Sequence, residues 1–243
     1  MWLFNSSVGK KVLMSVTGLA LVLFLLFHMS MNLVAIFSTE GYNMICEFLG
    51  ANWYALVGTA GLAVLVVVHF VYAFILTMQN RKARGNQRYA VVEKPKGVEW
   101  ASQNMLVLGI VVIGGIALHL ANFWAKMQLT EIIGGHTALV YQGLEIAPTN
   151  GAALIAINFS QPLIVALYVV WLAALWFHLS HGFWSALHTL GWNGKNWLKR
   201  LECISNVYTT IIVLGFIAVP LLFFAKSLMD PSFVIEYIKA TLV

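Results

Sequence analysis

The sequence predicts an all-α integral membrane protein with five membrane-spanning helices, and three observations support this. Of its 243 residues, 60% are hydrophobic and only 9% are charged, whereas an ordinary soluble domain carries about 25% charged residues. Five apolar stretches can each cross a hydrocarbon core, which takes roughly 20 helical residues. Runs such as LAVLVVVHFVYAFIL do not alternate in polarity, as the strands of a membrane β-barrel would.

Each predicted span is a long apolar run bounded by polar residues. The first, residues 12–37, follows two lysines as a signal peptide would. Its apolar run exceeds the roughly 7–15 residues of a signal sequence, so we expect the cell to retain it. The others cover residues 54–79, 101–125, 161–190 and 206–229. Residues 1–243 are therefore predicted to form one transmembrane domain.

Lysine and arginine indicate the orientation, because cytoplasmic loops are enriched in them. Most of the 14 lie at the N-terminus and after the second and fourth spans: Lys10, Lys11, Arg81, Lys82, Arg84, Arg88, Lys94, Lys96, Lys195, Lys199 and Arg200. The opposite loops carry Glu40, Glu47, Glu131 and Glu145, with Lys126 alone at a helix end. We expect a multi-pass protein of the bacterial inner membrane, with a cytoplasmic N-terminus and a periplasmic C-terminus. Topology also accounts for the net charge of +5, which therefore does not indicate a nucleic-acid partner.

The chain lacks the motifs of soluble redox domains. Neither G-x-G-x-x-G nor G-x-x-x-x-G-K-[ST] occurs, and the largest segment between spans, roughly 127–160, is shorter than a typical domain of about 50 or more residues. Cys46 and Cys203 are expected in loops on opposite sides of the membrane, where they form no haem attachment, zinc site or iron–sulfur cluster.

Four histidines fall within the predicted spans, one in each of the first four: His28, His69, His119 and His178. Ionisable side chains are costly inside a membrane, and those that occur mostly face the protein interior and serve its function. One such histidine is equally well explained as a helix–helix hydrogen bond. Four of them in four helices indicate a functional site in the bundle core.

The rise of 1.5 Å per helical residue predicts two depths for these histidines. His28, 17 residues after the second N-terminal lysine, and His119, 20 residues after the glutamate that precedes its span, lie about 26 and 30 Å from the inner boundary. His69 and His178, each 12 residues from the inner end of its span, lie about 18 Å from it. We call His28 and His119 the outer pair, and His69 and His178 the inner pair.

Haem iron is the metal that takes two imidazoles at one level while its other coordination positions are filled. With a neutral imidazole on each face the iron is six-coordinate, which suits electron transfer rather than oxygen binding. Zinc or copper would prefer more protein ligands at one depth. The sequence therefore predicts two non-covalently bound haem b groups that carry electrons across the bilayer, with the four histidines as axial ligands.

The motif FHLSHGFW leaves one ligand ambiguous. His178 and His181 are three residues apart and share a helix face, so periodicity alone does not choose between them. His188 is expected to be an interfacial polar residue, and His136 lies in the long outer loop, where a surface role is expected. Six glycines would let helices or a flat macrocycle approach closely: Gly18, Gly58, Gly61, Gly109, Gly114 and Gly115.

Motifs along almost the whole chain resemble those of one family. They are SSVGKKVLMSVTGL near the N-terminus, HMSMNL at His28, HFVYAFILTMQNRKAR at His69, HLANFW at His119 and HLSHGFWSALHTLGW at His178. With these motifs in this order and in these helices, the chain resembles the cytochrome b anchor of succinate:quinone oxidoreductases. In particular, it resembles the single large anchor with five helices and two haems, as in the cytochrome b558 type of succinate dehydrogenase and in dihaem fumarate reductases.

The resemblance implies a role for each histidine of the two pairs. The outer haem would be held by the outer pair and the inner haem by the inner pair. The fourth-helix ligand of this family precedes a glycine by four positions, which matches His178 and Gly182, so that His181 becomes a neighbour that contacts a propionate. Some dihaem fumarate reductases carry a glutamate two residues before that ligand for proton return. Trp176 occupies this position in the chain, which argues against such a proton-return pathway.

Ser15 and Thr17 lie near the inner end of the first helix. Both are candidates to hydrogen-bond a haem propionate, although solvation of the helix end would explain them equally well. Glu47, in the first outer loop, is a candidate for the carboxylate that exchanges the quinone proton. A solvated loop charge is its alternative explanation.

The resemblance also implies partners: a flavoprotein with covalent FAD and an iron–sulfur subunit on the cytoplasmic face. Electrons would pass through both haems and exchange near the outer side with quinone, for which this dihaem type implies menaquinone. Two alternatives stay open. One is a dihaem cytochrome b of another complex, such as a membrane hydrogenase or formate dehydrogenase. The other is a haem-free transporter or assembly factor whose histidines bind substrate or protons.

Overall fold

A computed structural model describes residues 2–85, 100–192 and 194–241. Eleven α-helices, one π-helical turn and two short strands form the described chain. Their order is α1 Trp2–Asn5, α2 Ser7–Phe37, α3 Thr39–Phe48, α4 Trp53–Arg84, α5 Trp100–Gln103, α6 Met105–His119, the π-helical turn Leu120–Trp124, α7 Gln128–Ile132, β1 Leu139–Tyr141, β2 Leu144–Ile146, α8 Gly151–Phe159, α9 Pro162–Thr189, α10 Lys195–Met229 and α11 Phe233–Thr241.

The predicted all-α membrane fold is confirmed. Within the described residues, five helices are long and apolar enough to cross a membrane: Ser7–Phe37, Trp53–Ala83, Met105–Trp124, Pro162–Thr189 and Asn196–Met229. The fifth begins well before its predicted start at residue 206, because the polar stretch from Lys195 continues the same helix. Three cations of the predicted cytoplasmic loop, Arg88, Lys94 and Lys96, lie outside the described residues.

Helix α9 is the centre of the bundle, and it packs against α2, α6 and α10. Buried leucines and valines of α2, α9 and α10 form the middle of this core: Val22, Leu172, Leu175, Leu179 and Val213. Helix α4 packs mainly against α2, and none of the residues in its apolar centre is buried in the protein. Such an apolar, unburied surface is what lipid contact requires.

A separate layer covers one end of the bundle; we call it the end layer. It consists of α3, the antiparallel hairpin β1–β2, α8 and α11. All nine residues of α8 are buried, and Asn150 caps this helix by accepting from the Ala153 N–H at 3.1 Å. The predicted loop segment 127–160 therefore contains part of the hydrophobic core.

The predicted loop position of Cys203 is wrong, because this residue lies within the fifth candidate span, whereas Cys46 lies between the first two spans as predicted. Cys46 lies in α3 and Cys203 lies in α10, and both thiols are free. Cys46 is placed inside the end layer, where burial raises the pKa of its thiol to about 12. A thiol held protonated in this way is a poor nucleophile.

Candidate functional site

The outer pair is brought together by α2 and α6. The imidazole rings of His28 and His119 have centroids 5.6 Å apart and planes 87° to each other. His119 is the last residue of α6, and the π-helical turn that follows it adds a residue to one turn of the helix. Such turns often occur at functional sites, and this one sets the direction of the chain directly beyond the histidine.

The inner pair is brought together by α4 and α9. The ring centroids of His69 and His178 lie 6.4 Å apart, with planes at 69°. This contact selects between the two histidines of FHLSHGFW, because His181 instead packs edge-on against Trp184 at 4.9 Å. His188 and His136 are exposed and belong to neither pair.

The geometry of both pairs suits a metal placed between the rings. A metal bound by one nitrogen of each imidazole at about 2.0 Å separates the ring centroids by roughly 6 Å, close to the observed 5.6 and 6.4 Å. Among the residues that the structure describes, no group of three or more His, Cys, Asp and Glu side chains surrounds a common point. Each pair thus offers two imidazole nitrogens to a metal between the rings.

The two pairs lie at different levels of the bundle. The side chain of Thr17 reaches His69 of the inner pair, and His28 of the outer pair follows 11 residues later on the same helix, about three turns or 16 Å. On α6, Gly109 lies beside His178, and His119 follows 10 residues later, about 15 Å along the axis. Two helices therefore give the same separation.

Aromatic side chains surround the outer pair. Phe24 stacks on the His28 ring with centroids 5.3 Å apart, and Phe123 and Trp171 flank His119 at 5.3 and 5.8 Å. The Tyr168 hydroxyl lies 3.5 Å from His119 Nδ1, at the long limit of a hydrogen bond. These rings give the outer pair a largely apolar surrounding.

The inner pair has an asymmetric polar environment. Thr17 Oγ1 lies 3.2 Å from His69 Nδ1, whereas His178 Nδ1 is buried and has no hydrogen-bond partner among the described residues. Gly18 also faces His69, since a Cβ at this position would stand 3.2 Å from the ring. The sequence indicated Thr17 only as a candidate propionate contact, and the structure places its hydroxyl against a histidine instead.

The remaining predicted site residues take no part in either pair. Ser15 is buried in α2, and Trp176 donates from Nε1 to Thr210 of α10 at 3.0 Å. Gly115 packs directly against the Trp171 ring, while Gly58, Gly61 and Gly114 have open space in front of them. Sequence alone does not distinguish a glycine that contacts a side chain from one that faces open space, because both look identical in a helical pattern.

Glu47 lies exposed in α3, in the end layer. Its neighbour Glu131 was not singled out by sequence. Burial, together with the charge of Glu47, raises the pKa of the Glu131 carboxyl, and a hydrogen bond from the Ala51 N–H partly offsets this rise.

Nearby, buried Gln128 accepts from Thr59 Oγ1 and Trp124 Nε1, both at 2.9 Å. This fully bonded amide ties α4, the π-helical turn and α7 together.

Comparison with family models, with curated proteins and with solved structures finds no match to this chain. The family resemblance therefore depends on the motifs around the four histidines. Any assignment of function depends on the geometry of the two pairs.

Proposed function

We propose that this chain is the dihaem cytochrome b anchor of a succinate:quinone oxidoreductase. The observation that carries the proposal is the meeting of four histidines from four helices as two facing pairs, about 16 Å apart along α2. Facing neutral imidazoles at two levels are what two six-coordinate haems need. A protein that used histidines for transport would not require them to pair at the spacing of a metal and its two bonds.

In this proposal His28 and His119 hold one haem b, and His69 and His178 hold the other. When bound, each haem supplies a site that takes up and gives off one electron at a time. The chain's own residues orient the imidazoles, and Phe24, Phe123 and Trp171 give the outer pair an apolar surrounding.

The soluble partners are proposed to be a flavoprotein with covalent FAD and an iron–sulfur subunit. Exposed cations lie where α4 ends and α10 begins: Arg81, Lys82, Lys199 and Arg200. Because successive spans run in opposite directions, the end of the second span and the start of the fifth are expected at the same side of the bundle as the start of α2. This end is the proposed cytoplasmic docking face, and the opposite end layer would exchange electrons with quinone, with menaquinone as the proposed type.

Purification of the intact complex from the native membrane tests this assignment. We expect a polypeptide with covalent FAD and an iron–sulfur protein to co-purify with this chain, and succinate to reduce its haem. A haem-containing preparation whose partner is a hydrogenase or formate dehydrogenase subunit would support the related dihaem cytochromes instead.

Glu47 is the proposed proton-exchanging carboxylate at the quinone side. We expect Glu47→Gln to slow quinone turnover by tenfold or more while both haems stay bound, because a general acid–base group contributes roughly 10²–10⁴-fold to a proton-transfer step. Glu131→Gln is the matched variant, since it removes the neighbouring carboxyl group. Unchanged turnover in Glu47→Gln with both haems present would show that Glu47 is a solvated surface charge.

A further inference from the structure

We propose that Thr17 is a positioning residue for His69: its hydroxyl group holds the ring through Nδ1 and leaves Nε2 directed at the metal. This inference rests on the proposed haem-binding function, and it concerns the inner pair alone. Helix α2 supplies a ligand of the outer pair. Through Thr17 it would also position a ligand of the inner pair.

The contacts of the Thr17 hydroxyl carry the proposal. Thr17 is only 6% exposed, and its Oγ1 lies 2.8 Å from the Leu13 carbonyl and 3.1 Å from the Met14 carbonyl. The same oxygen lies 3.2 Å from His69 Nδ1. A hydroxyl has one hydrogen and two acceptor lone pairs, and here three polar atoms surround it.

These distances assign the tautomer of His69. The hydroxyl hydrogen goes to the nearest acceptor, the Leu13 carbonyl, because backbone carbonyls have no hydrogen to offer in return. Toward the ring, Oγ1 therefore acts as an acceptor, and the proton of the neutral imidazole is on Nδ1. The Nε2 lone pair is then free to bind a metal, and metal-ligating histidines commonly donate from their other ring nitrogen in this way.

Gly18 makes this close approach of α4 to α2 feasible. A Cβ at this position would stand 3.2 Å from Cε1 and 3.6 Å from Nδ1 of His69, tighter than an ordinary carbon–carbon contact of about 3.5–4.0 Å. Glycine thus lets the ring lie against the α2 backbone, where the Thr17 hydroxyl is within reach. Thr17 and Gly18 act together as one platform under the ring.

The platform makes the two ligands of the inner pair unequal. His69 donates to an oxygen, whereas buried His178 Nδ1 has no partner in the part of the chain that the structure describes. Donation from Nδ1 raises the basicity of the ligating nitrogen, and a more basic ligand favours the oxidised iron. Removing the Thr17 oxygen should therefore raise the reduction potential of the inner haem and leave the outer haem unchanged.

Three variants of the intact complex test this inference. Thr17→Val removes the oxygen and keeps the shape of the side chain, and Thr17→Ser keeps the oxygen. Thr77→Val is the matched control, because Thr77 lies in α4 and, among the described residues, its hydroxyl group donates to the Ala73 carbonyl at 2.8 Å and contacts neither histidine pair. Each variant is titrated potentiometrically by its optical spectrum, and the axial ligand field of the oxidised protein is measured by EPR.

We expect Thr17→Val to shift one of two haem potentials upward and to change the EPR signal of that haem alone, while Thr17→Ser and Thr77→Val match the parent. Loss of a single haem in Thr17→Val but not in Thr17→Ser would also support the proposal. Two bound haems with unchanged potentials and signals would overturn it and leave the proposed function standing. A parent complex without haem would instead contradict the proposed function.

Gly18→Ala provides a second test should Thr17→Val fail to assemble. The added methyl pushes the His69 ring from its place, so we expect a change in the potential or EPR signal of the same haem. Gly58→Ala is its control, since nothing stands within 4 Å of a Cβ at that position. A Gly18→Ala complex with parental signals from both haems would contradict a platform at this place.

Discussion

Replacing His178 with alanine is expected to remove one of two haem groups. The ring of His178 faces His69 with centroids 6.4 Å apart, and no other described histidine takes this position. The outer pair is formed by different residues on α2 and α6, so its haem should remain. Haem content per chain, measured as the pyridine haemochrome of the purified complex, should fall from two to one, and the optical spectrum should retain one haem b component.

His181→Ala is the matched control for this experiment. It removes an imidazole from the same helix, three residues away, whose ring packs against Trp184 rather than His69. We expect this variant to keep both haems. Loss of a haem in His181→Ala with both retained in His178→Ala would reverse the ligand assignment and contradict the geometry of the inner pair.

Replacing Gly115 with valine is expected to disrupt the packing of α6 on α9. A Cβ at Gly115 would overlap the five-membered ring of Trp171, which is fixed by donation from Nε1 to the Val112 carbonyl at 3.1 Å. Overpacking a buried contact costs about 1–3 kcal/mol, and sometimes more. Since Trp171 also flanks His119, the outer haem should be lost more easily. Thermal unfolding in detergent, followed by haem absorbance, measures both effects.

Gly114→Val provides the control one residue away on the same helix. Nothing lies within 4 Å of a Cβ at Gly114, so this side chain would point into open space or lipid. We expect its melting temperature to stay within a few degrees of the parent. Equal destabilisation by both substitutions would show that helix propensity, rather than contact with Trp171, decides the outcome.

Two properties of the sequence were sufficient to predict the membrane fold and the pairing of histidines by depth. Apolar length defines a membrane helix almost independently of tertiary contacts. The rise per residue then places His28 and His119 at one level and His69 and His178 at another. The orientation of the chain and the role of these residues as haem ligands stay predictions.

Other features required contacts that a linear pattern does not contain. Helix α8 has only nine residues, nearly all of them apolar, and so short a run is compatible with a loop, a strand or a buried helix. The early start of α10 was missed because residues 195–205 are polar enough to interrupt the apolar run. Thr17 was identified as a polar residue near a helix end, but the neighbour that its hydroxyl meets depends on how α4 lies against α2.

An optical difference spectrum of the purified membrane complex, dithionite-reduced minus oxidised, is the most direct test of whether this chain binds haem b. Combined with a pyridine haemochrome assay for stoichiometry, it counts the haem b groups per chain. We expect two haems per chain, one for each facing pair of histidines. A single haem would mean that one pair is structural, and a colourless protein would contradict the electron-transfer function and favour a transporter.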